Sequence, residues 1–277
     1  IRKGLPQLKL NTHRIYFILI ALLTSMIILK GANNINQNFW YNFRFENNSL
    51  VSDFDRSHFV SALDQAPNVS SRIPSNVILE IPTYNNTKKT FRYFETNVMP
   101  LSLKMRYPNI KSYVGIGVEN PSHRSSLVLF ENGLFGLVID GKGKSYIKVD
   151  KYQQGTIKDH ESLSVENYQC ETNYYPGFSR DINEDLFWDC IGTDQPCFPV
   201  GSMLTTYRFA GIMSERATNE VADGTIEGGL AWMTAMVNQI NLLWIRELGF
   251  KLEMVENSDL LIFTDDNPAP NMFQQDS

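Results

Sequence analysis

Histidine is the ligand that a catalytic zinc site uses most often, and this sequence has four: His13, His58, His123 and His160. A zinc-peptidase helix needs the pattern H-E-x-x-H, because histidines four positions apart share one helix face and the glutamate activates the zinc-bound water. Only His160 is followed by glutamate, and position 164, where a second histidine would stand, is serine. The sequence therefore offers no zinc ligands and no catalytic residues, and solvated loop positions are the best interpretation of its histidines.

The N-terminus has the pattern of an export signal. Basic residues up to Arg14 precede the uncharged run 15–29. This run is short for a bilayer span, which needs about 20 residues, and suits the apolar part of a signal peptide. Lys30 fits poorly near a cleavage site, so an uncleaved membrane anchor through residues 15–29 stays open. We expect a secreted or extracellular protein, with residues 1–32 as signal peptide or N-terminal anchor.

Export also affects the three cysteines, since disulfides persist outside the cytosol. Cys190 and Cys197 lie close together in "CIGTDQPC" and could close a small loop, which would leave Cys170 single. Sequence alone does not fix the pairing. Three free or partly buried thiols remain the alternative.

Composition indicates a globular protein without a nucleic-acid surface. Of the 277 residues, 43% are hydrophobic and 20% charged, which is close to the globular average. This length allows one large domain or two ordinary ones. The net charge of −5, without clustered Lys and Arg beyond the N-terminus, argues against a phosphate-binding face.

The elements upstream of residue 154 are mainly strands. Alternating or apolar runs between turn residues predict them at 39–45, 76–82, 90–96, 110–119, 125–131, 134–140 and 144–150. Asn-Gly in "ENGLFG" and Asp-Gly in "DGKGKS" predict tight hairpins, so the last three strands should form a meander. A helix is predicted at 55–65. Residues 33–154 are therefore predicted to be a mainly antiparallel α+β domain.

Downstream, the pattern changes twice. Residues 155–203 have no sustained period and read as a long connecting segment. After it come a strand at 205–214, a helix at 225–248 and a strand at 250–256. The helix carries an apolar stripe, and Gly249 stands where a helix stop is expected. Strand, helix and strand predict the start of an α/β domain in residues 204–277, with a sheet that needs further strands.

Residues 207–269 resemble the opening of the catalytic domain of secreted bacterial reprolysin-like (adamalysin-type) zinc metallopeptidases of the metzincin group. Residues 93–120, "YFETNVMPLSLKMRYPNIKSYVGIGVEN", are similar to the propeptide of the same enzymes, and the two matches follow in the expected order. The points of match in the downstream region are Tyr207-Arg208, Gly228-Gly229, Val237-Asn238 with Asn241, Glu247-Leu248-Gly249 and "ENSDLLIFTD" (256–265).

The resemblance implies a zinc metalloendopeptidase precursor that acts on proteins or peptides, with zinc as cofactor of the complete enzyme. Its motif H-E-x-x-H-x-x-G-x-x-H is absent here, so this chain is expected to be an inactive N-terminal fragment that binds no zinc. The propeptide would keep the chain's own catalytic domain latent and help it fold. Cys170 is the candidate thiol for the open zinc position, if Cys190 and Cys197 pair.

Two other interpretations stay open. The chain could be an exported, β-rich binding module without catalysis, or the remnant of a decayed proenzyme. A pure binding module should have no reason to add half of a strand-helix-strand layer whose helix exposes an apolar face.

Overall fold

The strands predicted between residues 39 and 150 form one antiparallel sheet in the computed structural model, which describes residues 38–159 and 204–270. The nine strands lie in the order β1-β2-β9-β8-β7-β6-β5-β4-β3, and we call them the large sheet. Their bounds are β1 Trp40–Glu46, β2 Ser49–Phe54, β3 Ile78–Pro82, β4 Lys88–Glu95, β5 Lys111–Gly117, β6 Arg124–Phe130, β7 Gly133–Asp140, β8 Gly143–Val149 and β9 Gln154–Asp159.

The large sheet curls, which brings its two edges toward each other. The ring of Phe45 in β1 lies 5.9 Å from the ring of Tyr84, which follows β3. Lys88 Nζ in β4 donates to Asn38 Oδ1 at a distance of 2.6 Å. The chain is thus a mixed α and β protein dominated by antiparallel strands, as the first region of the sequence predicted.

The predicted meander is confirmed, and two strands were missed. β6, β7 and β8 pair in sequence order, and the Asp-Gly hairpin closes with Asp140 opposite Gly143. β2 and β9 were not predicted. β9 shows little alternation, because Ile157 is its single bulky apolar residue. β9 extends the large sheet to Asp159, into residues that the sequence analysis gave to the connecting segment. The rest of that segment, 160–203, lies outside the described residues.

The helices agree with the sequence where an apolar stripe exists. α1 Arg56–Leu63 begins after Asp55, whose carboxylate accepts from His58 N, and α2 Leu101–Arg106 precedes Pro108. α3 Glu215–Val221 was missed because "ERATNEV" has no sustained apolar stripe. The strand predicted at 205–214 is correspondingly shorter, since β10 ends at Phe209.

Residues 204–270, which we call the C-terminal unit, contain the predicted strand-helix-strand arrangement. β10 Thr205–Phe209 pairs in parallel with β11 Phe250–Met254, and α4 Ile226–Glu247 lies between them in sequence. The Thr225 hydroxyl caps the start of α4, and Gly249 follows its end with a φ of 69°, a conformation that favours glycine. The described residues also include two short 3-10 helices, Val69–Ser71 in the upstream region and Ser258–Leu261 after β11.

Two apolar clusters lie on opposite faces of the large sheet. Along β6, Leu127 and Leu129 belong to a cluster enclosed by the curl with α1, as expected from the period of two in a strand. The alternate residues Val128 and Phe130 belong to the second cluster, which α4 supplies from the other side. The C-terminal unit therefore packs on the outside of the large sheet, and all described residues belong to one compact unit.

Within residues 38–159 and 204–270, no helix combines the length and the apolar character needed to cross a membrane.

Candidate functional site

The sequence-predicted thiols cannot be placed, because Cys170, Cys190 and Cys197 lie outside the described residues. The latency thiol and the disulfide therefore stay predictions. His13 and His160 also lie outside the described residues, whereas His58 and His123 lie within them.

The two described histidines have local roles. His58 is exposed in the first turn of α1, not in a loop, and its Nδ1 lies 2.7 Å from Asp55 Oδ2. This hydrogen bond lowers the pKa of Asp55. His123 lies in the turn before β6, where burial, together with the charge of Lys89, lowers its pKa. In the described part of the chain, no group of three or more His, Cys, Asp or Glu residues is arranged to hold a metal ion.

The polar groups that do come together lie at the contact between α4 and the large sheet, with Asn238 at its centre. Asn238 is 3% exposed. Its Nδ2 donates to Tyr113 O at 2.9 Å and to Ser126 Oγ at 2.8 Å. Its Oδ1 lies 3.0 Å from the Thr96 hydroxyl, which is also 2.7 Å from Ser112 Oγ. Each polar atom of the Asn238 amide is thus satisfied, and every partner belongs to the large sheet or its connections.

Asn241, one turn further along α4, faces its own unit. Its Nδ2 donates to Leu252 O at 2.9 Å, and its Oδ1 accepts from Leu252 N at 2.7 Å. The amide therefore substitutes for a peptide group of a neighbouring strand and fixes the register of α4 against β11. The two asparagines named in the resemblance have separate tasks: Asn238 fixes α4 to the large sheet, and Asn241 fixes α4 to β11.

The glycines of the resemblance also have a structural explanation. A Cβ on Gly229 would come within 2.6 Å of Ile262 Cγ2, and one on Gly228 within 1.9 Å of Asp223 Oδ1. Neither approach is tolerated by a larger residue without movement of its neighbours. Gly229 thus lets the first turn of α4 lie directly against the segment that follows β11, and Gly228 leaves room for Asp223 in the turn before the helix.

A second set of polar contacts lies where α2 meets the segment after β11. Arg106 Nη2 donates to Asp259 Oδ1 at 2.8 Å and to Glu256 O at 2.7 Å. The Tyr107 hydroxyl lies 3.2 Å from Asp259 Oδ2, and burial and the Asp259 charge together raise the pKa of Tyr107. Asp259 lies within "ENSDLLIFTD", so this part of the resemblance also contacts the upstream region.

The start of α4 is held by the hairpin between β6 and β7. Asn132 Nδ2 donates to Asp223 Oδ2 at 2.9 Å, and Glu131 N donates to Glu227 Oε1 at 3.2 Å. Burial acts to raise the pKa of Asp223, but hydrogen bonds from Thr225 and Asn132 outweigh it and leave that pKa lowered. The carboxylate is therefore kept ionised near the positive end of the helix dipole.

An apolar groove of about 320 Å³ opens beside α4 in the C-terminal unit. Ile212 at its rim is 57% exposed. The groove could accept an apolar side chain, but the residues that line it include no acid, base or nucleophile. Its lining is Phe209, Gly211, Ile212, Met213, Ala217, Val221, Trp232, Met233 and Met236.

No protein-family model and no curated protein matches this sequence. A chain in a solved structure described as "Structure of a chaperone-substrate complex" is similar over 46% of this chain and 95% of that chain, with 9% sequence identity and a TM-score of 0.32. A likeness at this TM-score supports no argument about fold or function. The case for a function therefore depends on the residues and their geometry.

The resemblance names Asn238, on the α4 side of the contact with the large sheet, but none of its partners. Asn241, which contacts β11, lies one turn after the apolar Val237, and a polar residue at such a helix position signals a buried polar partner. Thr96, Ser112, Ser126 and Arg106 carry no such signal, because isolated hydroxyl and basic residues in strands and short helices are common on surfaces.

Proposed function

We propose that this chain is the N-terminal part of a secreted zinc metalloendopeptidase precursor. The large sheet acts as the propeptide, and the C-terminal unit begins the catalytic domain. The zinc ligands are absent from this sequence, so in this proposal sequence beyond residue 277 supplies them. Proteins or peptides are the substrates, the catalytic domain is the propeptide's partner, and the N-terminal segment provides any membrane contact.

The observation that supports the proposal is that α4 makes two separate sets of buried contacts, one with the large sheet and one with β11. The residues of the resemblance do not form a catalytic site. Asn238 and Asp259 hold the C-terminal unit on the upstream region, and Gly229 packs within the unit against Ile262. Buried, directional groups of this kind select one docked arrangement, which is what a propeptide that assists folding would need.

The large sheet also covers apolar surface of α4 that an isolated C-terminal unit would expose. Leu230, Met233 and Val237 are at most 2% exposed and belong to the cluster shared with Val128 and Phe135. This cover is consistent with a folding role for the upstream domain.

The decisive experiment reads the coding sequence past residue 277 and then expresses the longest chain. We expect H-E-x-x-H-x-x-G-x-x-H downstream, one zinc ion per molecule, and peptidase activity after removal of the upstream region. A reading frame without this motif would reject the peptidase proposal.

Latency by a thiol is tested separately in that longer chain. If Cys170 occupies the open zinc position, Cys170→Ser should give activity without processing, and Cys190→Ser serves as the matched control. Unchanged latency in Cys170→Ser would reject the thiol mechanism but not the peptidase proposal.

A second candidate is an exported binding module without catalysis, and one observation favours it. An exposed apolar face on α4 would count against such a module, yet the large sheet buries the first half of that face. The apolar groove beside α4 would then be the binding surface. Stoichiometric zinc in the longest chain distinguishes the two, since only the peptidase proposal requires it.

A further inference from the structure

The large sheet and the C-terminal unit touch without sharing a strand. Their strands form two separate sheets, one of nine strands and one of two. Where the two meet, a backbone hydrogen bond runs from Met254 N to Val98 O at 3.0 Å, and the other hydrogen bonds between the two described ranges involve side chains. Such a contact has the anatomy of an interface between two proteins.

The centre of this interface is apolar and well buried. The large sheet and its connections contribute side chains that include Val98, Leu103 and Val128, and the C-terminal unit contributes Leu230 and Met254. All five are at most 2% exposed. An apolar centre of this kind is the part of an interface that supplies most of its binding free energy.

The polar groups of the interface are arranged around and within that centre. The Asn238 amide is buried inside it, Arg106 and Asp259 pair at one side, and Asn132 and Asp223 pair beside the start of α4. Lys148 Nζ adds a hydrogen bond to Val221 O at 3.1 Å, and burial lowers its pKa. These paired groups permit one register of α4 on the large sheet, since any shift leaves buried amide or carbonyl groups unpaired.

We infer that the outer face of β5–β7 is a docking surface for α4 that holds without the peptide link, so that a cut between residues 160 and 203 leaves the large sheet bound to the C-terminal unit. The partner that this surface takes is an amphipathic helix with an asparagine at its centre. The inference depends only on the interface, so it stands or falls independently of the zinc chemistry of the proposed function.

The test uses the whole chain with a recognition sequence for a specific protease inserted between residues 160 and 203. After complete cutting, the sample is run on a size-exclusion column at micromolar concentration, and the peaks are identified by mass spectrometry. We expect both pieces in one peak at the elution volume of the uncut chain. Separate peaks, or loss of the C-terminal piece by precipitation, would overturn the inference.

The role of Asn238 is tested by exchange between cut complexes, one of which carries a fluorescent label. Asn238→Asp keeps the shape of the side chain but removes the donors to Tyr113 O and Ser126 Oγ, so exchange should become at least about tenfold faster. Gln239→Glu makes the same chemical change on the neighbouring residue, which is only partly buried, and should leave exchange within about twofold of the unmodified complex.

Two readouts keep the exchange test decisive. Near-ultraviolet circular dichroism of the uncut variants shows whether Asn238→Asp retains a packed structure before cutting. A packed Asn238→Asp chain that exchanges at the rate of Gln239→Glu would overturn the assignment of Asn238 as the anchor. If the variant does not fold, co-elution of the cut unmodified chain still decides the inference.

Discussion

Replacement of Asn238 by alanine is the sharpest test of how the C-terminal unit is held. The substitution removes the donors to Tyr113 O and Ser126 Oγ and the acceptor that faces Thr96. A typical buried hydrogen bond contributes about 1 kcal/mol net, so three such bonds suggest a loss of about 3 kcal/mol. The Tyr113 carbonyl would also be left buried without this partner, so the loss should not fall far below that value.

The assay is equilibrium unfolding in urea, followed by fluorescence and by far-ultraviolet circular dichroism. For Asn238→Ala we expect an unchanged slope and a lower midpoint, equivalent to a loss of about 3 kcal/mol, or roughly 100-fold in the folding equilibrium. Gln239→Ala, on the next residue of α4, should stay within about 0.5 kcal/mol of the unmodified chain. A loss below about 1 kcal/mol for Asn238→Ala would refute the reasoning, since it would mean that water or rearranged neighbours satisfy the freed groups.

Three further predictions follow from the same structure. Gly229→Ala should lower the melting temperature in a thermal scan, because the new methyl group would lie 2.6 Å from Ile262 Cγ2. Overpacking of this kind costs about 1–3 kcal/mol of stability. An unchanged or higher melting temperature would contradict the prediction. Burial raises the pKa of the Tyr93 phenol, so its contribution to stability is complete below pH about 10 and is lost as the pH rises further. Absorbance at 295 nm should show that Tyr93 ionises only when the chain unfolds. Ionisation of Tyr93 in the folded chain would contradict this prediction. Arg106→Ala should cost about 1 kcal/mol in urea unfolding, because its bond to Asp259 is partly exposed; no measurable loss would show that the pair is not stabilising.

The sequence predicted elements well where local chemistry decides the structure. The helix α4 was found from its apolar stripe and from Gly249, both of which act within a few residues. The hairpin at Asp140 was found for the same reason. β9 was not predicted, because its place in the sheet depends on residues distant in sequence. For example, a Cβ on Gly155 would lie 2.7 Å from the Trp40 ring.

The sequence indicated the α4 side of the candidate site but not the partners of its asparagines. Asn238 and Asn241 could be singled out on α4, but nothing local assigns one to the large sheet and the other to β11. The partner Thr96 lies 142 positions away from Asn238, and its hydroxyl is unremarkable until the fold brings it to the amide. The chemistry of Cys170 stays a prediction, because it lies outside the described residues.

The outer cluster has a consequence for the time course of synthesis. Val128 and Phe135 are covered from α4, whose first buried residues, such as Leu230, are made about a hundred residues later. At a synthesis rate of roughly 5–20 residues per second, the newly made sheet would expose this aggregation-prone apolar face for about 5–20 seconds before α4 is synthesised. Conditions that lengthen this interval, or that deplete chaperones which bind exposed apolar surface, are therefore expected to lower the yield of soluble chain.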